Sequence, residues 1–205
     1  MAFRETLAVA LAALALPVGK PVRLWVADEM RYGLQPVTRR VWSLRGERPV
    51  CSVRPGYQWG YVYGALEVAG QSGAQFLYCP TVNLHCSRRF LHQIAASDPA
   101  ATHVVLWDGA GFHPKDQSRG QPANLRLLTF PSYSPELNPV EKLWDLVKDH
   151  LCNQPYASLN ALEAVLTESL QPFWQTPEQV SDLIGQGWLR LRFQDFLRRH
   201  STSNQ

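Results

Sequence analysis

The sequence predicts an α/β domain in which helices flank a central mixed β-sheet. Three observations support this fold class. Short apolar runs with strand character occupy residues 22–130 and enclose one amphipathic helical segment. Apolar residues at helical spacing follow from residue 140 onward, so the strands precede most of the helices. A hydrophobic content of 45% with 18% charged residues is typical of a folded globular protein and excludes a disordered chain.

The apolar segment near the N-terminus has two interpretations. Leu7–Leu16 contains an Ala-Leu-Ala sequence similar to a signal-peptidase site, which would indicate a secreted protein. Leu7, Leu11 and Leu14 also have the spacing of an amphipathic helix. The run is shorter than the roughly 20 residues that a membrane-spanning helix needs. We therefore expect residues 1–20 to form a helix and a linker, without association with a membrane.

Five strands are expected, with one helix at Asn83–Ala96 between the third strand and the fourth. The second strand alternates aromatic side chains on one face. We interpret these as packing in the sheet, and stacking on unpaired nucleic-acid bases is the alternative. The strands are expected at Val22–Ala27, Tyr57–Val68, Gln75–Tyr78, Val104–Trp107 and Leu125–Phe130.

Helices are expected after the last strand. Apolar side chains three or four positions apart form one stripe on the first of these helices. Ser158 is expected to cap the second helix, and Thr176 followed by Pro177 begins the third. We assign residues 21–155 to the core of the domain and residues 156–205 to helices that pack on it. The stripe consists of Val140, Leu143, Trp144, Val147 and Leu151.

Three acidic residues stand where the expected elements end or begin. Asp28 and Asp108 each follow an apolar strand, and Glu141 opens the amphipathic helix. Functional sites in open α/β sheets collect at the carboxyl ends of strands. Three carboxylates that converge repel one another and require a cation, and hard oxygen ligands favour Mg²⁺ or Mn²⁺. Two such ions about 4 Å apart can clamp an in-line phosphoryl displacement.

Each acid also has a purely structural interpretation. Asp28 could occupy a turn at the end of a strand, and Asp108-Gly109 is a turn dipeptide. Glu141 lies three positions after Asn138, which fits a capping box at the start of a helix. The residue types and their positions alone leave both interpretations open.

Three motifs make the chain similar to a known family. They are VADEMRYG at Val26–Gly33, LWDGAGFH at Leu106–His113 and FPSYSPELNPVEKLW at Phe130–Trp144. Together they resemble the catalytic domain of bacterial insertion-sequence transposases of the mariner-like superfamily, the DDE superfamily endonucleases. The resemblance covers about residues 20–155. It implies an RNase H-like fold, with residues 21–155 as the DDE catalytic core.

The resemblance implies that Asp28, Asp108 and Glu141 are the catalytic and metal-binding carboxylates. The 33 positions from Asp108 to Glu141 (141 − 108) are close to the short spacing usual in this superfamily. The implied chemistry is metal-dependent DNA cleavage at transposon ends, followed by attack of the freed 3′-hydroxyl on target DNA. The implied cofactor is a pair of Mg²⁺ ions, for which Mn²⁺ can substitute.

Three further residues are expected to support the carboxylates. Glu29 follows Asp28 and is interpreted as a supporting acid, with a surface charge as the alternative. His113 could orient water or phosphate, or it could hold a loop. Asn138 is expected to cap the helix that presents Glu141 and so to fix the direction of that carboxylate.

A basic segment follows the first strand. Residues 31–54 contain six arginines and one acid, so their net charge is +5 (six minus one), whereas the whole chain carries +3. Such a cluster is typical of contacts with DNA phosphates, and a solvated loop is the alternative. The arginines are Arg31, Arg39, Arg40, Arg45, Arg48 and Arg54.

The resemblance also implies partners. The expected partner is double-stranded DNA, at transposon ends and at the target, bound by a homodimer. Full transposases of this kind carry helix-turn-helix modules before the catalytic domain, whereas about 20 residues precede the first strand here. We therefore expect either a truncated element or a separately encoded N-terminal half.

Two other functions remain open. The chain could be a truncated, catalytically silent remnant that binds DNA or dimerises and so modulates an intact transposase. A nuclease with a host function would share the metal chemistry and lack strand joining.

The four cysteines include no C-x-x-C pair and indicate free thiols in a reducing compartment. We expect the protein in the cytoplasm, at the nucleoid.

Overall fold

A five-stranded mixed sheet forms the centre of the computed structural model, which describes residues 2–14, 16–17, 19–52, 56–69, 73–185 and 187–202. The strand order is β3-β2-β1-β4-β5. β1 pairs with β2 and β2 pairs with β3 in antiparallel ladders, whereas β4 is parallel to β1 and β5 is parallel to β4. The strands are β1 (Val22–Gly33), β2 (Trp59–Ala69), β3 (Ala74–Cys79), β4 (Thr102–Trp107) and β5 (Leu125–Thr129).

Helices cover both faces of the sheet. α2 packs on one face, where Phe90 joins Trp25, Tyr63 and Trp107 in a buried cluster. The other helices pack on the opposite face in a larger core. A short 3₁₀ turn at Pro135–Leu137 leads into α3. The helices are α1 (Ala2–Ala13), α2 (Leu84–Ser97), α3 (Val140–Leu151), α4 (Leu159–Gln175), α5 (Pro177–Ile184) and α6 (Trp188–Thr202).

The expected fold class, a mixed sheet with flanking helices, is confirmed. Two of the expected helix starts have the chemistry that their sequences indicate. Asn83 accepts a hydrogen bond from the backbone N–H of Cys86, and Ser158 accepts one from Ala161. The apolar stripe of α3 is buried, so the side chains at helical spacing do form the contact with the sheet.

The first strand is longer than its sequence indicates. We expected it to end at Ala27, whereas β1 continues to Gly33. The pairing with β2 extends as far as Gly33 opposite Trp59, but the parallel pairing with β4 stops at Val26 opposite Leu106. Asp28 therefore lies inside a strand, at the point where its second neighbour strand ends.

The N-terminal helix α1 belongs to the larger core. Leu7 and Leu11 are completely buried, whereas Val9 on the opposite side of the helix is 69% exposed. Phe3 contacts the ring of Trp188, so α1 packs against α6. Within the described residues, no helix combines the length and the apolar character that crossing a bilayer requires.

Candidate active site

Asp28, Asp108 and Glu141 line the same cleft. It has a volume of about 420 Å³, with Tyr133 and Asn138 also in its wall. The first carboxylate comes from β1, the second from the residue after β4 and the third from the first turn of α3. The structure thus brings together three acids that lie far apart in the sequence.

Asp28 carries the strongest electrostatic conflict in the cleft. Burial, together with the neighbouring carboxylates of Glu141, Glu29 and Asp108, raises the pKa of its carboxyl to about 7. Its Oδ2 accepts a hydrogen bond of 3.0 Å from the indole Nε1–H of Trp144. A buried carboxylate among like charges is stabilised by a bound cation or by protonation.

Asp108 has a different environment. It lies in a tight turn in which its Oδ1 accepts the backbone N–H of Ala110 at 3.0 Å, so the turn that the Asp-Gly dipeptide indicates does form. The same oxygen lies 3.0 Å from Nδ1 of His113. The hydrogen bond from His113 lowers the pKa of the Asp108 carboxyl, which is therefore ionised at neutral pH.

His113 connects Glu29 of β1 to the turn that follows β4. Its Nε2 lies 2.9 Å from Oε1 of Glu29, and its Nδ1 lies 3.0 Å from the backbone oxygen of Asp108. Its ring stacks on Trp107 at 3.9 Å between centroids, and only 4% of the side chain is exposed. Burial disfavours the imidazolium, but the hydrogen bonds to Asp108 and Glu29 outweigh burial and raise the pKa of His113 to about 9. Both ring nitrogens then donate at neutral pH.

Asn138 fixes the start of α3. Its Oδ1 accepts the backbone N–H of Val140 at 3.1 Å, as expected of a capping side chain, although the helix begins at Val140 rather than at Pro139. Its Nδ2 donates to the backbone oxygen of Ala27 at 3.0 Å. Asn138 therefore ties α3 to β1 directly beside Asp28, a contact that the sequence did not indicate.

The donor chemistry of the cleft fits a hard divalent cation. Three carboxylates face one space, and the mutual repulsion that raises the pKa of Asp28 is what a cation would relieve. Within the part of the chain that the structure describes, no three His, Cys, Asp or Glu side chains lie close enough to share one ion. The Asp108 carboxylate is instead held by Ala110 and His113.

Most of the basic segment of residues 31–54 is an irregular arm, residues 34–52, which contains neither helix nor strand in its described residues, whereas Arg31 lies in β1. Its base is attached to the end of α3. Asn153, at φ 58°, accepts the backbone N–H of Arg39 and donates to the Arg39 oxygen, both at 3.0 Å. The guanidinium of Arg39 also pairs with Asp145 and Asp149 of α3. Because these pairs occupy Arg39, it anchors the arm.

The remaining arginines differ from Arg39 in exposure. Arg31, Arg40, Arg45 and Arg48 are exposed on or beside the arm, and Arg54 lies outside the described residues. Trp42 at the tip of the arm is completely exposed. The arm therefore presents exposed cations and one exposed aromatic side chain to solvent.

A family model described as DDE superfamily endonuclease matches residues 23–163, which is more than half of the chain. The chain belongs to the DDE superfamily endonucleases. The matched range includes Asp28, Asp108 and Glu141, and it ends within α4. Enzymes of this superfamily use divalent metal ions.

Solved structures agree with this membership at the level of the fold. The catalytic domain of Mos1 mariner transposase covers 97% of this chain and 90% of its own length, with a TM-score of 0.56 and 15% identity. The Mos1 strand transfer complex gives a TM-score of 0.58 at 18% identity, and the match covers 97% of this chain. The DDE superfamily endonuclease described here therefore has the RNase H-like fold that its motifs imply. It spans 59% of the Mos1 chain in that complex.

A sequence relative from a bacterium carries no functional description. The uncharacterized protein y4pE/y4sA of Sinorhizobium fredii is 35% identical over 95 residues, which are 45% of this chain and 67% of the relative.

Mos1 paired-end complexes have been solved with Mn and with Mg, and this chain matches both with TM-scores of 0.57 and 0.54.

Proposed function

We propose that this DDE superfamily endonuclease is a transposase catalytic domain that cleaves DNA strands at transposon ends and joins them to target DNA. The observation that carries the proposal is the convergence of Asp28, Asp108 and Glu141 on one cleft of an RNase H-like fold. The family membership supports the choice of these acids, because all three fall within the matched range.

Asp28, Asp108 and Glu141 would hold two Mg²⁺ or Mn²⁺ ions. When bound, these ions polarise the scissile phosphate and activate the attacking oxygen. The protein itself holds the three carboxylates on three different elements, and His113 with Glu29 keeps Asp108 ionised and oriented. Nothing in this arrangement requires a covalent link between protein and DNA.

We assign the exposed arginines of the arm to DNA phosphates. Arg40, Arg45 and Arg48 are solvent-facing, whereas Arg39 is engaged with α3 and serves as the anchor. Backbone contacts of this kind give affinity that falls with salt and carry little sequence information. We further propose that recognition of specific transposon ends comes from a helix-turn-helix module and that the assembly on DNA is a homodimer.

The direct test is nicking and strand joining on a supercoiled plasmid. We expect wild-type protein to be active in Mn²⁺, inactive with a chelator, and reduced on the order of 10³-fold or more by Asp108→Ala. Asp182→Asn on α5, which lies outside the cleft, is the control and should retain full activity.

Absence of metal-dependent nicking in the wild type, with and without an added N-terminal half, would contradict the proposal. It would favour the alternative, a silent remnant that modulates an intact transposase. Nicking without strand joining would instead indicate a nuclease with another role.

A further inference from the structure

α3 is attached to β1 on both sides of Glu141. Three positions before it, Asn138 donates its Nδ2–H to the backbone oxygen of Ala27 at 3.0 Å. Three positions after it, Trp144 donates its indole Nε1–H to Oδ2 of Asp28, also at 3.0 Å. Trp144 lies one turn after Glu141 on the same side of α3, and Asn138 lies just before the helix begins, so the two attachments to β1 flank Glu141.

The indole of Trp144 has little freedom to move. The side chain is 1% exposed, and it packs over Gly64, the residue opposite Asp28 in the β1–β2 ladder. A Cβ at Gly64 would lie 2.6 Å from Cη2 of Trp144, which is closer than real contacts allow. Phe76 contacts the indole from β3. The absence of a side chain at Gly64 thus makes room for the ring.

A buried indole N–H needs an acceptor, because an unpaired one loses its hydrogen bonds to water without replacement. Asp28 supplies that acceptor, and in return one of its two carboxylate oxygens is held at a fixed place. Second-layer hydrogen bonds of this type orient a metal-binding carboxylate and affect metal affinity.

We propose that Trp144 is a positioning residue that holds the Asp28 carboxylate opposite Glu141, so that the two can share a divalent cation. This inference rests on the proposed function, because it takes Asp28 and Glu141 as metal ligands. Trp144 is one of the buried apolar residues of α3, and its indole N–H also makes it part of the site. It also gives one helix two tasks, presenting Glu141 and orienting Asp28.

The structure offers a matched control for this donor. Trp25 is equally buried at 1% exposure, and its Nε1–H also donates over 3.0 Å, to Nδ1 of His103. That bond lies away from the carboxylate cleft. Trp25→Phe and Trp144→Phe therefore each remove one buried indole hydrogen bond, and only the second touches Asp28.

The test compares Mn²⁺ binding by the full chain, measured as free Mn²⁺ by electron paramagnetic resonance, for wild type, Trp144→Phe, Trp25→Phe and Asp28→Asn. We expect Trp144→Phe to weaken Mn²⁺ binding about 10-fold. Trp25→Phe should leave the affinity unchanged while lowering Tm as much as Trp144→Phe does. In nicking assays, Trp144→Phe should raise the Mn²⁺ concentration for half-maximal rate more than it lowers the rate at saturation.

Two results would overturn the inference in distinguishable ways. If Asp28→Asn abolishes Mn²⁺ binding and Trp144→Phe matches wild type, Trp144 has no positioning role and the proposed function stands. If wild type shows no Mn²⁺ binding that depends on Asp28, both fail together. Should Trp144→Phe not fold, replacing the indole at 144 by benzothiophene keeps the shape, removes the N–H, and should weaken Mn²⁺ binding to the same degree.

Discussion

The start and the middle of β1 bury charge in opposite ways. At the start, Arg23 forms a two-bond ion pair with Glu67 at 2.8 and 2.9 Å and reaches Asp98 at 3.3 Å. In the middle, Asp28 is buried among like charges. The first arrangement pairs every buried charge with one of opposite sign, whereas the second concentrates charge of one sign.

This contrast separates stability from function along one strand. The Arg23 network satisfies its own groups, as does the neighbouring His103, whose two ring nitrogens bond to Trp25 and to the backbone oxygen of Asp98. A network of that kind stabilises the fold and leaves no group for a ligand. The carboxylate cleft does not balance its own like charges. A bound cation and DNA would supply the missing interactions.

The largest expected effect comes from removing the negative charge of Asp28. Asp28→Asn should reduce nicking in Mn²⁺ by on the order of 10³-fold or more, because it removes one of the proposed metal ligands. The same change should raise the free energy of unfolding, measured with a chelator present, by about 2 kcal/mol, because it removes a buried charge. Activity and stability would then move in opposite directions. A variant that loses both would show that Asp28 is a structural residue.

Breaking the ion pair between Arg23 and Glu67 should instead lower stability and leave activity unchanged. Glu67 is 1% exposed, so Glu67→Ala leaves the Arg23 guanidinium buried without its main partner. We expect the free energy of unfolding to fall by about 3–5 kcal/mol. Nicking per folded molecule should remain near wild type below the new Tm.

An exposed ion pair serves as the control for Glu67→Ala. Asp195→Ala removes the partner of Arg198 on α6, where the side chains are 40% and 77% exposed, and should cost less than about 1 kcal/mol. Equal losses from the two variants in urea unfolding would contradict the distinction between the buried and the exposed pair.

The smallest effect is a pH dependence of stability without metal. The pKa of Asp28 is raised to about 7 in the folded protein, so its contribution to stability is lost as pH rises through 7. The pKa of His113 is raised to about 9, so the stability it contributes below about 6.5 is lost as pH rises through 9. Both act in the same direction, and we expect unfolding free energy to decrease by about 2 kcal/mol from pH 6.5 to 9.

His103 makes this test more specific, because its pKa is shifted in the opposite direction. Burial lowers its pKa, so its contribution is fully present above about 6.5 and is lost as pH falls. Thermal melts in chelator between pH 6.5 and 9 therefore avoid the range in which His103 changes stability. In Asp28→Asn the total decrease should be smaller, and the part that remains should be the loss from His113 between about pH 6.5 and 9. A stability that rises with pH in this window would contradict the charge arrangement described for the cleft.

Much of the fold could be predicted because it follows from local patterns. The apolar runs place all five strands, and the apolar stripe from Val140 to Leu151 places α3, although the expected cap put its first residue one position too early. β1 was underestimated because its second half is held by pairing with β2, and its polar residues there give no apolar signal. A single sequence shows which residues can form a strand but not which neighbour will extend it.

The acids of the site could be proposed from the sequence, whereas the contacts that hold them could not. Trp144 and Asp28 lie 116 positions apart, and Arg39 and Asn153 lie 114 apart. The spacing of Trp144 after Glu141 is compatible with a core residue and with a donor to the site, and only the packed structure shows that it is both. Arg39 is one of the basic cluster in the sequence, but in the structure it pairs with α3 and anchors the arm.

The order of strands in the sheet has a consequence for synthesis of the protein. β1, β2 and β3 are consecutive and antiparallel, so they can pair while the chain is still emerging from the ribosome. β4 must then be inserted beside β1, and α3 comes later still. A nascent chain therefore presents Asp28 long before Asp108 and Glu141 exist to join it. The carboxylate cleft is therefore complete only after the chain has been synthesised as far as α3.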